Sequence, residues 1–352
     1  MKKLKAIDFF CGAGGMTYGL SQAGIKVIAG IDFDIDCRET YEKNNQGSVF
    51  IQSDISQLKP IKLQKQLKLK RKDNELIFIG CCPCQYWSII NTDKTKAKKS
   101  KSLLKNFQEF VEYFLPGYIA VENVPGIMKN KNETILPDFL SFLEKNKYRF
   151  KKDIINMNDF GVPQKRKRFS LIASRLSDEI LFPTPTKEKP TVEQIIGVKN
   201  GFYKIPAGHK DSSDFLHSTM NLSDKNIERL KKTPKNGGNR LAWKDIPELQ
   251  LNAYKGKDNY FRDVYGRMSW DTPAPTITTK FYSLSNGRFG HPDENRSLSL
   301  REGAALQTFP NDYQFLAGSL QKNAMLIGNA VPPEFARKIG ETIIQHYKKY
   351  GK

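Results

Sequence analysis

The densest reactive chemistry in this sequence lies at Gly80-Cys81-Cys82-Pro83-Cys84-Gln85, directly after the apolar run 75–80. Three chemistries compete for these thiols. Cys81 and Cys84 keep the C-x-x-C spacing of a redox pair, with a proline before the second cysteine. Zinc would need further ligands, yet there is no second C-x-x-C, and the four histidines (His209, His217, His291, His346) lie far off in sequence. No metal site is expected. The third chemistry makes Cys84 a nucleophile, exposed where a strand ends beside a ligand loop. A buried, inert thiol is the plain alternative.

The ligand loop is the second constellation. Asp8-Phe9-Phe10-Cys11-Gly12-Ala13-Gly14-Gly15 stands where a first strand hands over to a helix, and glycines there let the backbone approach a ligand closely. The dinucleotide fingerprint G-x-G-x-x-G is incomplete, because Thr17 occupies the third glycine's place. Asp32 ends the next strand twenty residues after Gly12, where an acid can accept both hydroxyls of a ribose. Phe33 beside it could stack on an adenine, and Asp54, ending the third strand, could accept from the adenine amino group. Acids at strand ends are often solvated loop residues. Set at successive carboxyl ends, where open α/β sheets bind ligands, they read better as an adenosine site.

These residues need a scaffold, and the sequence alternates to supply one. Apolar runs predict strands at 4–10, 26–32, 48–54, 75–80, 118–121 and 169–173, with helices at 16–23, through Tyr41, and over the lysine-rich 59–72. Strands separated by helices predict an α/β fold with a Rossmann-like, doubly wound parallel sheet covered on both faces. The rhythm stops at Phe182-Pro183-Thr184-Pro185-Thr186, and a loop-rich second domain follows to about Arg288. A helical stretch opens at Leu300, and a last helix over 334–347 starts behind Pro332-Pro333, with Phe335, Ile339 and Ile343 on one face.

Composition bounds the partners. The chain has 352 residues, enough for two domains, and 39% hydrophobic residues, enough for a core. Five cysteines are too few, and odd in number, for a disulfide-built secreted domain. The start, Met1-Lys2-Lys3-Leu4, looks like a signal peptide only briefly, since Asp8 interrupts it, and no apolar run is long enough to span a membrane. A soluble, cytoplasmic protein is expected. Its 57 Lys+Arg against 37 Asp+Glu give a net charge of +20, which suits a polyanionic partner without naming one.

Further motifs carry a resemblance. Pro83-Cys84-Gln85, Glu122-Asn123-Val124 and Gln164-Lys165-Arg166-Lys167-Arg168 resemble ordered motifs of the DNA cytosine-5 methyltransferases. The loop 10–15, Arg301-Glu302 with Leu306-Gln307-Thr308-Phe309-Pro310, and Gly328-Asn329-Ala330-Val331-Pro332 complete six in the family order. The resemblance spans nearly the whole chain except about 183–275, where that family varies. Cys81-Cys82 departs from it, since the family more often has small or aromatic residues there.

The resemblance implies a class I methyltransferase fold, dependent on S-adenosylmethionine and of the bacterial restriction–modification type. It divides the chain into a catalytic and cofactor domain (1–182), a smaller loop- and strand-rich target-recognition domain (183–290), a return segment (291–324) and a last helix packing back on the catalytic domain (325–352). Carbon 5 of cytosine is too weak a nucleophile to take a methyl group directly. Cys84 as a thiolate would add to carbon 6 and activate it, which requires a depressed thiol pKa. Glu122 would contact the ring nitrogen and exocyclic amine, Arg168 with Arg166 would hold the base's carbonyl oxygen, and Asn123 would fix the turn. The donor would sit against Phe10, Cys11, Gly12, Ala13, Gly14, Gly15, Asp32, Phe33, Asp54, Ile55 and Gly80, with Asn329 and Ala330 near its methionine part. No residue is an obvious base for the carbon-5 proton, and water could serve.

The target cytosine must leave the duplex to be reached. The run 86–105, with Lys94, Lys96, Lys98, Lys99, Lys101 and Lys105 against Asp93, is read as a loop closing over the flipped base. Trp243, Trp270, Arg240, Arg262, Arg267 and Lys280 are the insert's candidate readers, though many should be scaffold; Thr276–Thr279 reads as an edge strand. Double-stranded DNA, a cognate restriction endonuclease and a monomer on DNA are the expected partners and state. A transfer-RNA cytosine-5 methyltransferase, a catalytically silent DNA-binding regulator and a thiol-redox protein are the alternatives.

Overall fold

The computed structural model describes residues 3–82, 102–128 and 135–351. They form two compact units: Met1–Phe160, Lys167–Pro185 and Val331–Lys352 make the first, Gly161–Arg166 and Thr186–Ala330 the second.

The first unit is built on β1 (Lys5–Phe9), β2 (Lys26–Asp32), β3 (Val49–Gln52), β4 (Leu76–Gly80), β5 (Tyr118–Asn123), β6 (Arg149–Asn156) and β8 (Lys167–Ser174); the two-residue β7 (Gln164–Lys165) belongs to the second unit. The seven strands lie in the order β3-β2-β1-β4-β5-β8-β6. β4 is buried throughout, and Ile7, Phe9 and Phe78 are fully enclosed, as central parallel strands covered on both faces must be. Two features differ from the sequence expectation. β8 runs antiparallel to both β5 and β6 rather than continuing the parallel pattern. β6, absent from the expected strands, is an edge whose Lys151, Lys152 and Asp153 are exposed, so it lacks the apolar alternation that betrays a half-buried strand.

Helices cover the sheet: α1 (Gly15–Gln22), α2 (Arg38–Asn44), α3 (Pro60–Leu67), α4 (Leu103–Phe114) and α5 (Leu136–Lys145). α3 is shorter than the expected 59–72, because Lys68 turns left-handed at φ 50° and ends it. α4 buries Leu104, Phe107, Phe110, Val111 and Phe114 along one stripe. Phe9 meets Phe78, Phe107 and Phe110 with ring centroids 5.1–5.3 Å apart. Gly80 lies under Phe107, where a Cβ would come within 2.8 Å of the ring.

The second unit has α6 (Val192–Ile196), α7 (Asp224–Lys232), α8 (Leu300–Leu306), α9 (Leu320–Asn329) and a two-stranded parallel sheet of β7 with β9 (Ala274–Pro275). β9 lies just before Thr276–Thr279, the run expected to be an edge strand. Loops predominate, and buried arginines tie them. Arg267, 1% exposed, donates to the carbonyls of Leu230, Thr233, His291 and Glu294. Back in the first unit, the final helix α10 (Pro333–Tyr350) packs on α1 with Phe335, Ile339 and Ile343 buried. No described helix is long and apolar enough to cross a membrane.

Candidate active site

Strand direction brings the polar motifs together. β5 runs parallel to β4, pairing Val121 with Gly80, and antiparallel to β8, pairing Glu122 with Ser170 and Asn123 with Phe169. The carboxyl ends of β4 and β5 therefore share one sheet edge with the amino end of β8. Glu122 and Arg168 meet there, Arg168 Nε lying 3.1 Å from Glu122 Oε1 with both side chains largely buried. Arg168 NH1 also donates to the Lys167 carbonyl at 2.8 Å. Asn123, 2% exposed, donates from Nδ2 to the Cys82 carbonyl at 3.4 Å and so restrains the chain leaving β4.

Cys84 lies outside the described residues, as do Asp93, Lys94, Lys96, Lys98, Lys99 and Lys101 of the expected closing loop; Lys105 is exposed on α4. Cys82 packs into the hydrophobic core. Burial pushes the Cys81 thiol up, and the charges of Asp8 and Glu122 push it further. A thiol so disfavoured as a thiolate is a poor redox partner.

The other expected pocket gathers at the ends of β1, β2 and β3. Phe10, Gly12 and Gly14 all have left-handed φ (65°, 50° and 87°), turning the chain sharply into α1. Cys11 and Ala13 are buried between them, and Gly15 opens the helix. The Gly12 N–H donates to Asp32 Oδ2 at 2.9 Å, and the Asp34 N–H to Oδ1 at 3.0 Å. Both oxygens are thereby fixed, each with a lone pair left for a hydroxyl. Burial raises the Asp32 carboxyl pKa against these two hydrogen bonds. Phe33 stands beside it, 68% exposed. Asp54 Oδ1 accepts from the Ser56 N–H and hydroxyl at 2.9 and 2.7 Å, and Ile55 is buried. A Cβ on Gly12 would touch none of the described residues within 4 Å.

Asp8 was not among the expected site residues. It is fully buried in β1; Oδ2 accepts from the Thr17 hydroxyl at 2.8 Å, while Oδ1 has no hydrogen-bond partner among the described residues. Burial pushes its carboxyl up to about 7. Thr17 shares its hydroxyl with Tyr41 at 3.0 Å, which reaches Ser48 at 2.7 Å. Thr17 thus stands in place of the third glycine to hydrogen-bond the acid. An acid inside an otherwise apolar strand was the signal available in the sequence.

Gln164 and Arg166 serve the second unit. Gln164 donates to the Leu306 carbonyl and Gln307 Oε1, and accepts from the Ile277 N–H. Arg166, 3% exposed, donates to the carbonyls of Ile277, Gly328 and Ala330 at 3.0, 3.4 and 3.3 Å. Its terminal nitrogens are directed at backbone, in contrast to the base-holding role expected beside Arg168. Asn329 ends α9, and the Ala330 carbonyl also accepts from Gln307. Arg301 is fully buried against the carbonyls of Asp214, Phe215, Pro310 and Tyr313. Glu302 caps α8 with Ser299, and Arg296 holds its carboxyl at about 2 although burial opposes this. Of the insert's candidate readers, Arg240, Arg267 and Trp243 are buried and Trp270 donates to Asp293; Arg262 and Lys280 are exposed.

The strand order, the single reversed strand and the glycine loop facing an acid at the end of β2 define a class I methyltransferase α/β unit. Solved structures agree on the fold. A prophage-encoded DNA modification methyltransferase of E. coli superposes with a TM-score of 0.72 at 21% identity, covering 97% of this chain and 99% of that one. The Entamoeba histolytica methyltransferase EhMeth gives 0.64 at 15%, covering 98% and 99%.

The chain belongs to the C-5 cytosine-specific DNA methylases, whose sequence pattern matches residues 4–345, and it is an enzyme of that class. Among its relatives, the type II methylase M.HgiDII of Herpetosiphon aurantiacus is 37% identical over 344 residues, covering 96% of this chain and 94% of that protein. A type II methyltransferase of Haemophilus parahaemolyticus is 32% identical over 347 residues, covering 97% and 87%.

Proposed function

We propose that this enzyme transfers a methyl group from S-adenosylmethionine to carbon 5 of a cytosine flipped out of a specific double-stranded DNA sequence. The observation that carries the reading is the Glu122–Arg168 pair at the shared edge of β4, β5 and β8. A carboxyl and a guanidinium side by side match the polar edge of cytosine, whose ring nitrogen and amine adjoin its carbonyl oxygen. Glu122 addresses the nitrogen side and Arg168 the oxygen, where negative charge accumulates as a nucleophile adds. The Cys84 sulfur bonds to carbon 6, making carbon 5 nucleophilic; after methylation, loss of the carbon-5 proton to water expels the sulfur and restores the ring. Arg166 acts through backbone carbonyls as a positioning residue.

S-adenosylmethionine, when bound, supplies an electrophilic methyl group on a sulfonium. The residues fit such a ligand. Asp32 holds both oxygens ready for ribose hydroxyls, Phe33 offers an exposed ring for the adenine, and Asp54 lies one strand further on. Among the described residues nothing crowds Gly12, which suits a ligand lying close to the backbone, and Asp8 Oδ1 has no partner and is a buried acceptor suited to an ammonium. Phe10, Cys11, Ala13, Gly14, Gly15, Ile55 and Gly80 complete the proposed pocket by their motif positions, and the family resemblance assigns Asn329 and Ala330 to the donor's methionine part.

The residues of the second unit between about 186 and 290 are read as the target-recognition region, and the protein as a cytoplasmic monomer paired with a restriction endonuclease of the same sequence specificity. Incubation with methyl-labelled S-adenosylmethionine and plasmid DNA, followed by sequencing for 5-methylcytosine, tests the activity and maps the site. Label in transfer RNA alone, or none in any nucleic acid, overturns it. A covalent adduct with 5-fluorocytosine DNA that disappears in Cys84→Ser tests the nucleophile.

A further inference from the structure

Several arginines of the second unit are turned inward. Arg229, Arg240 and Arg267 are buried, each donating to backbone carbonyls, so they hold loops together. The same unit also presents to solvent a pair of adjacent aromatic side chains, Tyr260 at 67% and Phe261 at 60% exposure. Phe261 is also left-handed, at φ 52°, a conformation that costs an L-residue backbone energy.

The loop does not reach this geometry unaided. Arg240 sits beneath it, 3% exposed, donating from Nε to the Phe261 carbonyl at 3.2 Å and from NH2 to the carbonyls of Tyr260 and Lys257 at 2.7 and 2.5 Å. Its guanidinium carbon lies 5.0 Å from the Tyr254 ring centroid. A buried cation thus gathers three consecutive-turn carbonyls, and the consequence is two exposed rings at the tip. Lys255, Lys257 and Arg262 flank them, all exposed, with Lys257 Nζ donating to the Ala253 carbonyl and Arg262 Nε to the Asp258 carbonyl on the loop's own side. The one acid among these residues, Asp258, faces inward charge, 4.0 Å from Arg240 and 3.9 Å from Lys244.

We propose that the loop 255–262 is an element of the second unit that engages the target DNA, with Tyr260 and Phe261 stacking on bases and Lys255, Lys257 and Arg262 on the flanking phosphates. The proposal rests on the methyltransferase reading and adds to it which residues grip the substrate. Exposed aromatic faces bordered by cations suit nucleic acid, since every base has a π-face and every step a phosphate. Arg240, which composition alone would nominate as a base reader, acts here as scaffold for the aromatic tip.

The test uses the full chain and a duplex oligonucleotide carrying the site mapped by plasmid sequencing. In Tyr260→Ala/Phe261→Ala, kcat/KM for that duplex falls at least tenfold, while KM for S-adenosylmethionine is unchanged. Phe261→Gly suits the left-handed backbone, so it lowers kcat/KM without lowering Tm. Lys255→Ser/Lys257→Ser/Arg262→Ser flattens the salt dependence of DNA binding, which the aromatic double variant leaves intact. Wild-type activity with kcat/KM within twofold in the aromatic variant overturns the proposal while sparing the enzyme's assignment. A dimer that dissociates in the aromatic variant overturns it in favour of an interface between copies. Absence of methylation by the wild type overturns both readings.

Discussion

Arg168 Nε lies 3.1 Å from Glu122 Oε1 because β8 runs antiparallel to β5, so the first residues of one strand meet the last of the other. A parallel β8 would carry Arg168 to the opposite edge of the sheet. The pair is therefore a product of topology. Arg168→Lys keeps the charge and loses the planar donor geometry, so kcat should fall about 10²–10³-fold. Glu122→Gln should fall comparably. Steady-state kinetics on duplex DNA check both, with KM for S-adenosylmethionine unchanged; near-wild-type kcat in either removes that residue from the chemistry.

Arg166 belongs to the same sequence motif but should behave differently. Its removal leaves the Ile277, Gly328 and Ala330 carbonyls without this donor in a buried place. Arg166→Ala should cost about 2–4 kcal/mol of stability, read as a drop in Tm, before any effect on chemistry. A Tm equal to wild type would show that the carbonyls find other partners.

This contrast marks how far the sequence could be read. The central strands were legible because they are covered on both faces: β4 is a continuous apolar run, and β1 is apolar between Lys5 and Phe9 but for Asp8. β6 was not, since an edge strand carrying Lys151, Lys152 and Asp153 looks like a loop. Strand direction leaves no mark on composition, so the reversal of β8 had to be seen. Asp32, Glu122 and Arg168 stood out by their motif positions. Asp8 passed unnoticed as part of a glycine motif, and nothing in the sequence separates Arg240 and Arg267, turned inward to carbonyls, from Arg262.

The closure of the first unit by its final helix depends on two glycines. A Cβ on Gly19 would come within 2.2 Å of the Pro333 carbonyl oxygen, and one on Gly340 within 2.6 Å of the Ala23 Cβ. Gly340→Val should force α10 away from α1 and cost at least about 1–3 kcal/mol, seen as a lower Tm and earlier proteolytic release of the C-terminal segment. Gly12→Ala meets no described residue within 4 Å, so its cost should come from its left-handed φ, about 1 kcal/mol.

The two units should respond to pH in opposite senses. Glu302, in the second, is held at about 2 by Arg296 despite its burial, whereas it titrates near 4.5 when unfolded. Between those values the unfolded chain binds more protons, so this contribution, of the order of 3 kcal/mol, is present above about pH 4.5 and disappears as pH falls toward 2. Asp8, in the first unit, works the other way. Its native carboxyl titrates near 7 because of burial, against 3.8 unfolded, so the native state binds more protons across that window. Stability should therefore decline, by the order of 4 kcal/mol, as pH rises from about 4 to 7. Denaturant unfolding of Asp8→Asn across that range should show the decline abolished, and Glu302→Gln should leave it intact. If S-adenosylmethionine places its ammonium against Asp8, saturating ligand should flatten the wild-type decline too, because a cation beside the carboxylate replaces the proton. A decline in Asp8→Asn as steep as in wild type would assign the titration elsewhere.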